Sequence, residues 1–125
     1  MIVLDSSVVL AAAFGEPGAI ALDDILQDAA ISSFNLGEIA SKFSERGVDA
    51  RLREQYLDLL APFCHPLTMS QALQAGRWRA ETKRFGLSMG DRCCLALGLE
   101  LEAEVYTTDR AWAGVDLGVR VRVIR

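Results

Sequence analysis

The amino-acid sequence predicts an α/β fold in which a short, mainly parallel sheet is covered by helices on both faces. Five short apolar runs alternate with stretches that carry apolar residues at helical spacing. This alternation is typical of parallel sheets, whose strands are joined by helical crossovers. One helical stretch is apolar on every side from Cys93 to Leu99, so it belongs in the middle of the fold. We expect one domain over residues 1–125, an ordinary domain length.

The first third of the chain predicts two strands and two helices. An apolar run at Ile2–Leu4 indicates the first strand, and the polar residues Asp5 to Ser7 are good N-cap residues for a helix over Val8–Phe14. Pro17 suits the first turn of a second helix. Ala29–Ser32 is the second strand candidate.

The middle of the chain predicts two amphipathic helices and a weak strand. Ser33 or Asn35 is expected to cap the first helix, and Gly47 to end it. Asp49 is expected to cap the second. Phe63–Leu67, which lies among prolines, is a weak candidate for the third strand.

The last part predicts two more helices and two strands. One helix is expected from about Ser70 to Phe85, and Ser88 then opens the apolar central helix. Ala103–Thr107 indicates the fourth strand. Val119–Ile124, where valine alternates with arginine at a period of two, indicates the fifth.

Charge and cysteine content argue against some classes of protein. Thirteen basic and seventeen acidic residues leave a net charge of −4, which disfavours binding nucleic acid through bulk positive charge but not through a metal ion. We interpret Cys64, Cys93 and Cys94 as reduced, buried residues of a cytoplasmic protein, since their number is odd. A zinc site with His65 would lack the usual Cys-x-x-Cys pair. No apolar stretch is long enough to span a membrane.

Four acidic residues lie near the ends of predicted strands or the starts of helices. Asp5 directly follows the first strand, and Asp109 follows the fourth. Glu38 lies one turn into the helix after the second strand, and Asp91 lies one turn into the central helix. Ligands of open parallel sheets bind outside the carboxyl ends of the strands. If the strands are parallel, all four carboxylates can therefore meet at one edge.

A cluster of this kind points to a metal ion. Two carboxylates ~4 Å apart repel each other by roughly 4 kcal/mol at an effective dielectric of about 20. A cation between them offsets this repulsion, and oxygen ligands without histidine or cysteine select Mg²⁺ or Mn²⁺. Such an ion polarises a phosphate and activates water.

Each acid also has a purely structural explanation that the sequence leaves open. Asp5 and Asp109 could each cap a helix. Asp91 could complete a capping box with Ser88. Glu38 could pair on a solvated face with the lysine four residues later.

Four segments carry a resemblance to a known family. They are MIVLDSSVVLA, ISSFNLGEIASKF, LSMGDRCCLALGLELEAEVYTTDRAWA and the terminal strand. The third is the most specific, because it places an acid at the start of an apolar helix and follows it with a strand and Thr-Thr-Asp-Arg. Together they resemble PIN-domain proteins, specifically the VapC-type toxins of toxin–antitoxin modules. The resemblance covers essentially the whole chain and implies a PIN-like three-layer α/β/α sandwich.

The resemblance implies a metal-dependent ribonuclease. In this family the matching acids bind one or two Mg²⁺ or Mn²⁺ ions and cleave single-stranded or loop RNA, such as tRNA, rRNA or mRNA. Asp5, Asp91 and Asp109 would be metal ligands, and Glu38 would be a ligand or hold water on the metal. Asp116 is a further candidate ligand, although its surroundings also resemble a turn.

Supporting residues and partners follow from the same resemblance. Ser6 and Thr107 would hold the ligands in place. Family toxins form homodimers and are silenced by an antitoxin that covers the site. Basic residues are candidates to hold the RNA backbone, although each could equally belong to a solvated face: Arg77, Arg79, Lys83, Arg84, Arg92 and Arg110.

Other interpretations fit less well. A haloacid dehalogenase phosphatase would need a second aspartate where Ser7 stands. A response-regulator receiver would need a late lysine, and none follows Lys83. The main alternative is a non-catalytic PIN-fold module that binds RNA or protein. Retention of all four acids argues against it, because such a module would have no reason to keep a mutually repelling cluster.

Overall fold

The computed structural model describes residues 1–125 and contains a five-stranded parallel sheet flanked by helices. The strand order is β3-β2-β1-β4-β5, and every neighbouring pair is parallel. The strands are β1 (Ile2–Leu4), β2 (Ala29–Ser32), β3 (Cys64–His65), β4 (Glu104–Thr107) and β5 (Val121–Val123). The predicted fold class is confirmed, and β1, the central strand, places Asp5 at its carboxyl end.

Seven α-helices connect and cover the strands. They are α1 (Ser6–Phe14), α2 (Leu22–Ile25), α3 (Ser33–Glu45), α4 (Ala50–Leu60), α5 (Met69–Arg77), α6 (Arg79–Thr82) and α7 (Met89–Leu101). Short 3₁₀ turns follow α2, α4, α6 and β4. None of the helices combines the length and the apolar character needed to cross a membrane.

The core consists of two apolar clusters, because neighbouring residues of a strand point to opposite faces of a sheet. Val3 contributes to a cluster that contains Leu95 and Leu97 of α7. Leu4 contributes to the other, with residues of α1 and α3 such as Val9 and Phe43. As its uniform apolarity predicts, α7 is buried almost continuously from its second residue to its tenth.

Two helix predictions are wrong in detail. Pro17 opens no helix: Gly18 has φ +91°, and a side chain there would collide with the Ile124 carbonyl, so the chain crosses the end of β5 before α2 begins. The single helix expected up to Phe85 is interrupted at Trp78. The Thr82 hydroxyl donates a hydrogen bond to the Trp78 carbonyl at 2.8 Å, a bond of the type that bends helices.

The outer strands and one helix cap also differ from expectation. β3 and β5 are shorter than predicted, since only residues that find a ladder partner form a strand, and both lie at the edges of the sheet. The cap of α3 is Ser32, whose hydroxyl accepts from the Phe34 N–H at 3.2 Å. Asn35, one of the two expected caps, is buried and bonded elsewhere.

The three cysteines are free, and no disulfide is present. Cys93 and Cys94 are buried, whereas Cys64 in β3 is half-buried. Burial raises the pKa of all three thiols, most strongly that of Cys94. These thiols therefore seldom ionise to the reactive thiolate, which agrees with their interpretation as small apolar residues.

Candidate active site

The carboxyl edge of the sheet places four acidic side chains near enough for their charges to act on one another. Asp5 follows β1, and its N–H donates to the Tyr106 carbonyl of β4 at 3.0 Å. The negative charges of Asp91 and Glu38 act on Asp5, and those of Glu38 and Asp109 act on Asp91. Parallel pairing of β1 with β2 and β4 is what directs the following segments toward one edge.

Asp5 occupies the N-cap position of α1, but its side chain makes no capping hydrogen bond. Its Oδ2 instead accepts from the hydroxyls of Ser7, at 2.6 Å, and Thr107, at 2.9 Å. Its Oδ1 is buried and has no hydrogen-bond partner. The capping explanation for Asp5 is therefore wrong, and one carboxylate oxygen of a residue only 3% exposed is left unsatisfied.

The environment of Asp5 favours its protonated form. Burial raises the pKa of its carboxyl group from 3.8 to about 6, and the charges of Asp91 and Glu38 push it in the same direction. The hydrogen bonds from Ser7 and Thr107 oppose this rise because they stabilise the carboxylate. A buried acid with this pKa is common at functional sites.

Glu38 is half-buried beside the first turn of α7 rather than paired on a solvated face. Its Oε1 accepts from Asn35 Nδ2 at 2.8 Å and, at 3.4 Å, from the Ser6 hydroxyl. Lys42, the predicted alternative partner, pairs with Glu45 at 3.3 Å. The surface ion-pair explanation for Glu38 is therefore wrong.

Asp91 lies in the first turn of α7 and forms the predicted capping box with Ser88. Its Oδ2 accepts from the Ser88 N–H at 2.9 Å, and its own N–H donates to the Ser88 hydroxyl at 3.2 Å. Burial raises the pKa of Asp91, the Ser88 bonds lower it, and the charges of Glu38 and Asp109 raise it further.

Asp109 caps the 3₁₀ turn that contains Trp112, as the sequence suggested. Its Oδ1 accepts from the Ala111 N–H at 2.9 Å. The Asp109 N–H donates to the Thr107 hydroxyl at 3.1 Å, so Thr107 links Asp109 to Asp5. Asp91 and Asp109 thus have real capping roles, and capping by one oxygen leaves the other oxygen free.

The four carboxylates share one pattern: one oxygen is held by the protein, and the other accepts no hydrogen bond from it. The held oxygens are Asp5 Oδ2, Glu38 Oε1, Asp91 Oδ2 and Asp109 Oδ1. None of these acids forms an ion pair with a basic side chain. The edge of the sheet therefore presents anchored carboxylates with free oxygens and no internal counter-charge.

This donor set suits a hard cation. Its free atoms are carboxylate oxygens, the ligands that Mg²⁺ and Mn²⁺ prefer. The orphaned Asp5 Oδ1 is a buried acceptor for which the protein supplies no donor. As they stand, however, no three acidic, histidine or cysteine side chains are close enough to share one ion. Binding of one ion by three of these acids therefore requires their side chains to move closer together.

Three residues that position the acids were not predicted from the sequence. Ser7 bonds to Asp5, Asn35 bonds to Glu38, and Gly90 leaves the space in which the Glu38 carboxylate lies. Their local spacing offered a weak signal, since Ser7 is two residues after Asp5 and Asn35 is three before Glu38. The contact with Gly90 spans distant segments and had no local signal. By contrast, the expected supporting residues Ser6 and Thr107 do bond to Glu38 and Asp5.

Two candidate residues form no side-chain bond to the four acids. Asp116 is exposed and lines a separate surface cavity with Arg84 and Phe85, and its charge is not among those that act on Asp5. Arg92 is buried, and its guanidinium donates to the Ser88 carbonyl at 3.2 Å and the Ala75 carbonyl at 2.9 Å. The guanidinium of Arg92 is therefore engaged with backbone carbonyls in the interior.

The remaining basic candidates are exposed and form no ion pairs within the chain. Their charges are therefore available to an external anion. They are Arg77, Arg79, Lys83, Arg84 and Arg110.

Comparison with known proteins identifies both a family and a fold. The family model of the PIN domain matches residues 2–117. No curated protein sequence matches the chain significantly. Among solved structures, the fold is similar to that of a VapBC complex from Rickettsia felis, determined with a DNA fragment from its promoter. The TM-score is 0.74 with 16% identity, over 98% of this chain and 98% of that chain.

Two further structures share the fold. FitAcB from Neisseria gonorrhoeae has a TM-score of 0.71 and 23% identity, over 97% of this chain and 96% of that chain. A VapC toxin from Mycobacterium tuberculosis is described as cleaving the sarcin–ricin loop. It has a TM-score of 0.72 and 18% identity, over 96% of this chain and 99% of that chain. At these identities the similarity is one of fold.

Proposed function

Because the chain belongs to the PIN domain family, we propose that it is a Mg²⁺- or Mn²⁺-dependent endoribonuclease and the toxin of a toxin–antitoxin pair. The observation that carries this proposal is the set of four anchored carboxylates, each with one free oxygen, at the carboxyl edge of the sheet. The proposed substrate is single-stranded or loop RNA. One protein of similar fold is described as cleaving an RNA loop, which supports this class.

The proposed roles follow from the contacts of each side chain. Asp5, Asp91 and Asp109 would hold the metal, and Glu38 would hold it or a water beside it. A bound ion would supply Lewis-acid activation of the phosphate and of a water nucleophile. Thr107 contacts both Asp5 and Asp109, and its hydroxyl orients their carboxyl and backbone groups.

The exposed basic side chains would hold the RNA backbone, since unpaired Arg and Lys bind phosphate oxygens. Arg77, Arg79, Lys83, Arg84 and Arg110 are the candidates. With a net charge of −4, the protein must rely on such local charges rather than on its overall field.

We expect the purified protein to cleave a structured RNA in the presence of Mg²⁺ or Mn²⁺ and to lose this activity in chelator. Without a metal ion, the carboxylate oxygens provide no Lewis acid that could activate the phosphate or a water molecule. The measurement is gel analysis of a loop-containing RNA with metal, with chelator, and with metal restored. Asp58→Asn, which changes an exposed acid of α4, is the matched control and should cleave normally. Cleavage that survives chelation would contradict the metal mechanism, and an inactive protein would favour the non-catalytic binding module.

The antitoxin proposal rests on the absence of internal counter-charge at the acids. An uncompensated anionic site is a docking point for arginine, which binds carboxylates through paired hydrogen bonds. Several structures of similar fold are toxin–antitoxin complexes. We therefore propose a partner that inserts a cationic side chain among Asp5, Glu38, Asp91 and Asp109.

We expect co-expression with the product of an adjacent upstream reading frame to yield a stable complex that does not cleave RNA. The partner's cation would occupy the free carboxylate oxygens that the metal needs. Size-exclusion chromatography followed by the RNA assay measures both properties. Separate elution of the two proteins, or a complex that still cleaves, would show that the proposed inhibition is wrong.

The remaining proposals concern the domain, the oligomeric state and the location of the protein in the cell. We propose that residues 1–125 act as one PIN-like domain, that the protein forms a homodimer, and that it works in the cytoplasm. Exposed apolar side chains such as Met69 and Leu73 of α5 are compatible with self-association. Light scattering of the purified protein measures the oligomeric state.

A further inference from the structure

Gly90, in the first turn of α7, lies directly against the Glu38 carboxylate of α3. A Cβ atom added at residue 90 would lie 2.6 Å from both Glu38 Cδ and Oε1, closer than real Cβ contacts come. Gly90 has an ordinary helical backbone, so the glycine is not needed for backbone conformation. Glycine inside a helix costs roughly 1 kcal/mol relative to alanine. The missing side chain therefore has its use in the space that it leaves for Glu38.

Asn35 ties the same two segments together. Its Nδ2 donates to Glu38 Oε1 at 2.8 Å and to the Gly90 carbonyl at 3.1 Å. Asn35 is fully buried, and its Oδ1 has no partner. Reversing the amide would place Oδ1 against two acceptor oxygens, so the observed orientation is the one that the two bonds require. An amide that leaves its own oxygen unsatisfied is held in place by what its nitrogen binds.

We propose that Gly90 and Asn35 are positioning residues that seat the Glu38 carboxylate beside Asp91. Gly90 supplies the space, and Asn35 links the carboxylate to the backbone of the residue that immediately precedes Asp91. The seat also lies at the N-terminal end of α7, where the helix dipole favours a negative charge. The catalytic consequence of this arrangement rests on the proposed function, whereas the seat itself does not.

The test is a double-mutant cycle of Gly90→Ala and Glu38→Ala, with Gly76→Ala as the matched control. Gly76 is also helical, and nothing lies within 4 Å of an added Cβ there. Such a cycle isolates the interaction between the two sites. The readouts are the melting temperature in chelator, the Mn²⁺ dissociation constant by calorimetry, and RNA cleavage.

In chelator, we expect Gly76→Ala to raise the melting temperature by about 3 °C through helix propensity. Gly90→Ala should raise it by less than the control, because the Glu38 carboxylate must leave its seat. In the Glu38→Ala background, where that conflict is absent, Gly90→Ala should give the full rise. An equal effect of Gly90→Ala in both backgrounds would overturn the proposal.

The affinity for Mn²⁺ is a second measurement, and helix propensity does not affect it. We expect Gly90→Ala and Asn35→Ala each to weaken Mn²⁺ binding by about 10-fold or more, as loss of groups that orient a ligand does. Neither should weaken it further once Glu38 is alanine. Additive losses would overturn the proposal, since these residues would then act through another group. If the mutant cycle shows the stability coupling but the wild-type protein cleaves no RNA, the positioning role of Gly90 is supported and only the nuclease function is contradicted.

Discussion

We expect Asp5→Asn to reduce RNA cleavage by more than about 100-fold while making the metal-free protein more stable at neutral pH. Loss of a group that merely orients a metal ligand already costs about 10- to 100-fold, and Asp5 is the most deeply buried of the proposed ligands. The gain in stability arises because a buried carboxylate surrounded by other acids opposes folding. The neutral amide removes that charge and retains an acceptor oxygen for Ser7 or Thr107.

The pH dependence of this effect follows from the raised pKa of Asp5. Because the folded-state pKa is about 6 and the ordinary value is 3.8, the folded protein binds more protons than the unfolded chain between these values. Stability from the protonated group is therefore present below pH ~4 and is lost as the pH rises through about 6. A shift of this size corresponds to roughly 3 kcal/mol above pH ~6.

Urea denaturation in chelator from pH 4 to pH 8 measures this loss. The wild-type protein should lose stability over that range, and Asp5→Asn should lose less, with Asp58→Asn behaving as wild type. No loss of a helix cap is expected, because the Asp5 side chain makes no capping bond. A variant that unfolds more readily than wild type at pH 8, or that still cleaves RNA, would contradict the role of Asp5.

The second large effect is expected at Asp91 and Asp109, where a ligand and a cap coincide. Asp91→Asn and Asp109→Asn should each abolish cleavage and leave the metal-free protein as stable as wild type, or more so. Asparagine keeps an acceptor for the Ser88 or Ala111 N–H, and it removes part of the repulsion that raises the pKa of Asp91.

Alanine at the same positions separates the two roles. Asp91→Ala and Asp109→Ala should be equally inactive but should also lose about 1 kcal/mol, the usual contribution of a cap. Thermal melting in chelator beside the RNA assay distinguishes them. If the asparagine variants melt several degrees lower and still cut RNA, Asp91 and Asp109 are caps and not ligands.

Local patterns predicted much of the fold because their physical causes are local. Short apolar runs indicated β1, β2 and β4 almost to the residue, and the Ser88–Asp91 capping box depends on a spacing of three. The break at Trp78 escaped prediction, since it accompanies burial of that side chain and a bond from Thr82.

The sequence by itself determined the α/β class, the order of the elements and the placement of four acids after strands or at helix starts. Only the tertiary structure decided what surrounds each acid. Asp5 is bonded to Thr107, 102 positions away, instead of capping α1, and Asn35 reaches Gly90 across 55 positions. Burial likewise turned Arg92 from a surface candidate into an interior donor. Spacing along the chain encodes helix and strand faces, but contacts between distant segments exist only once the parallel sheet has aligned the ends of its strands.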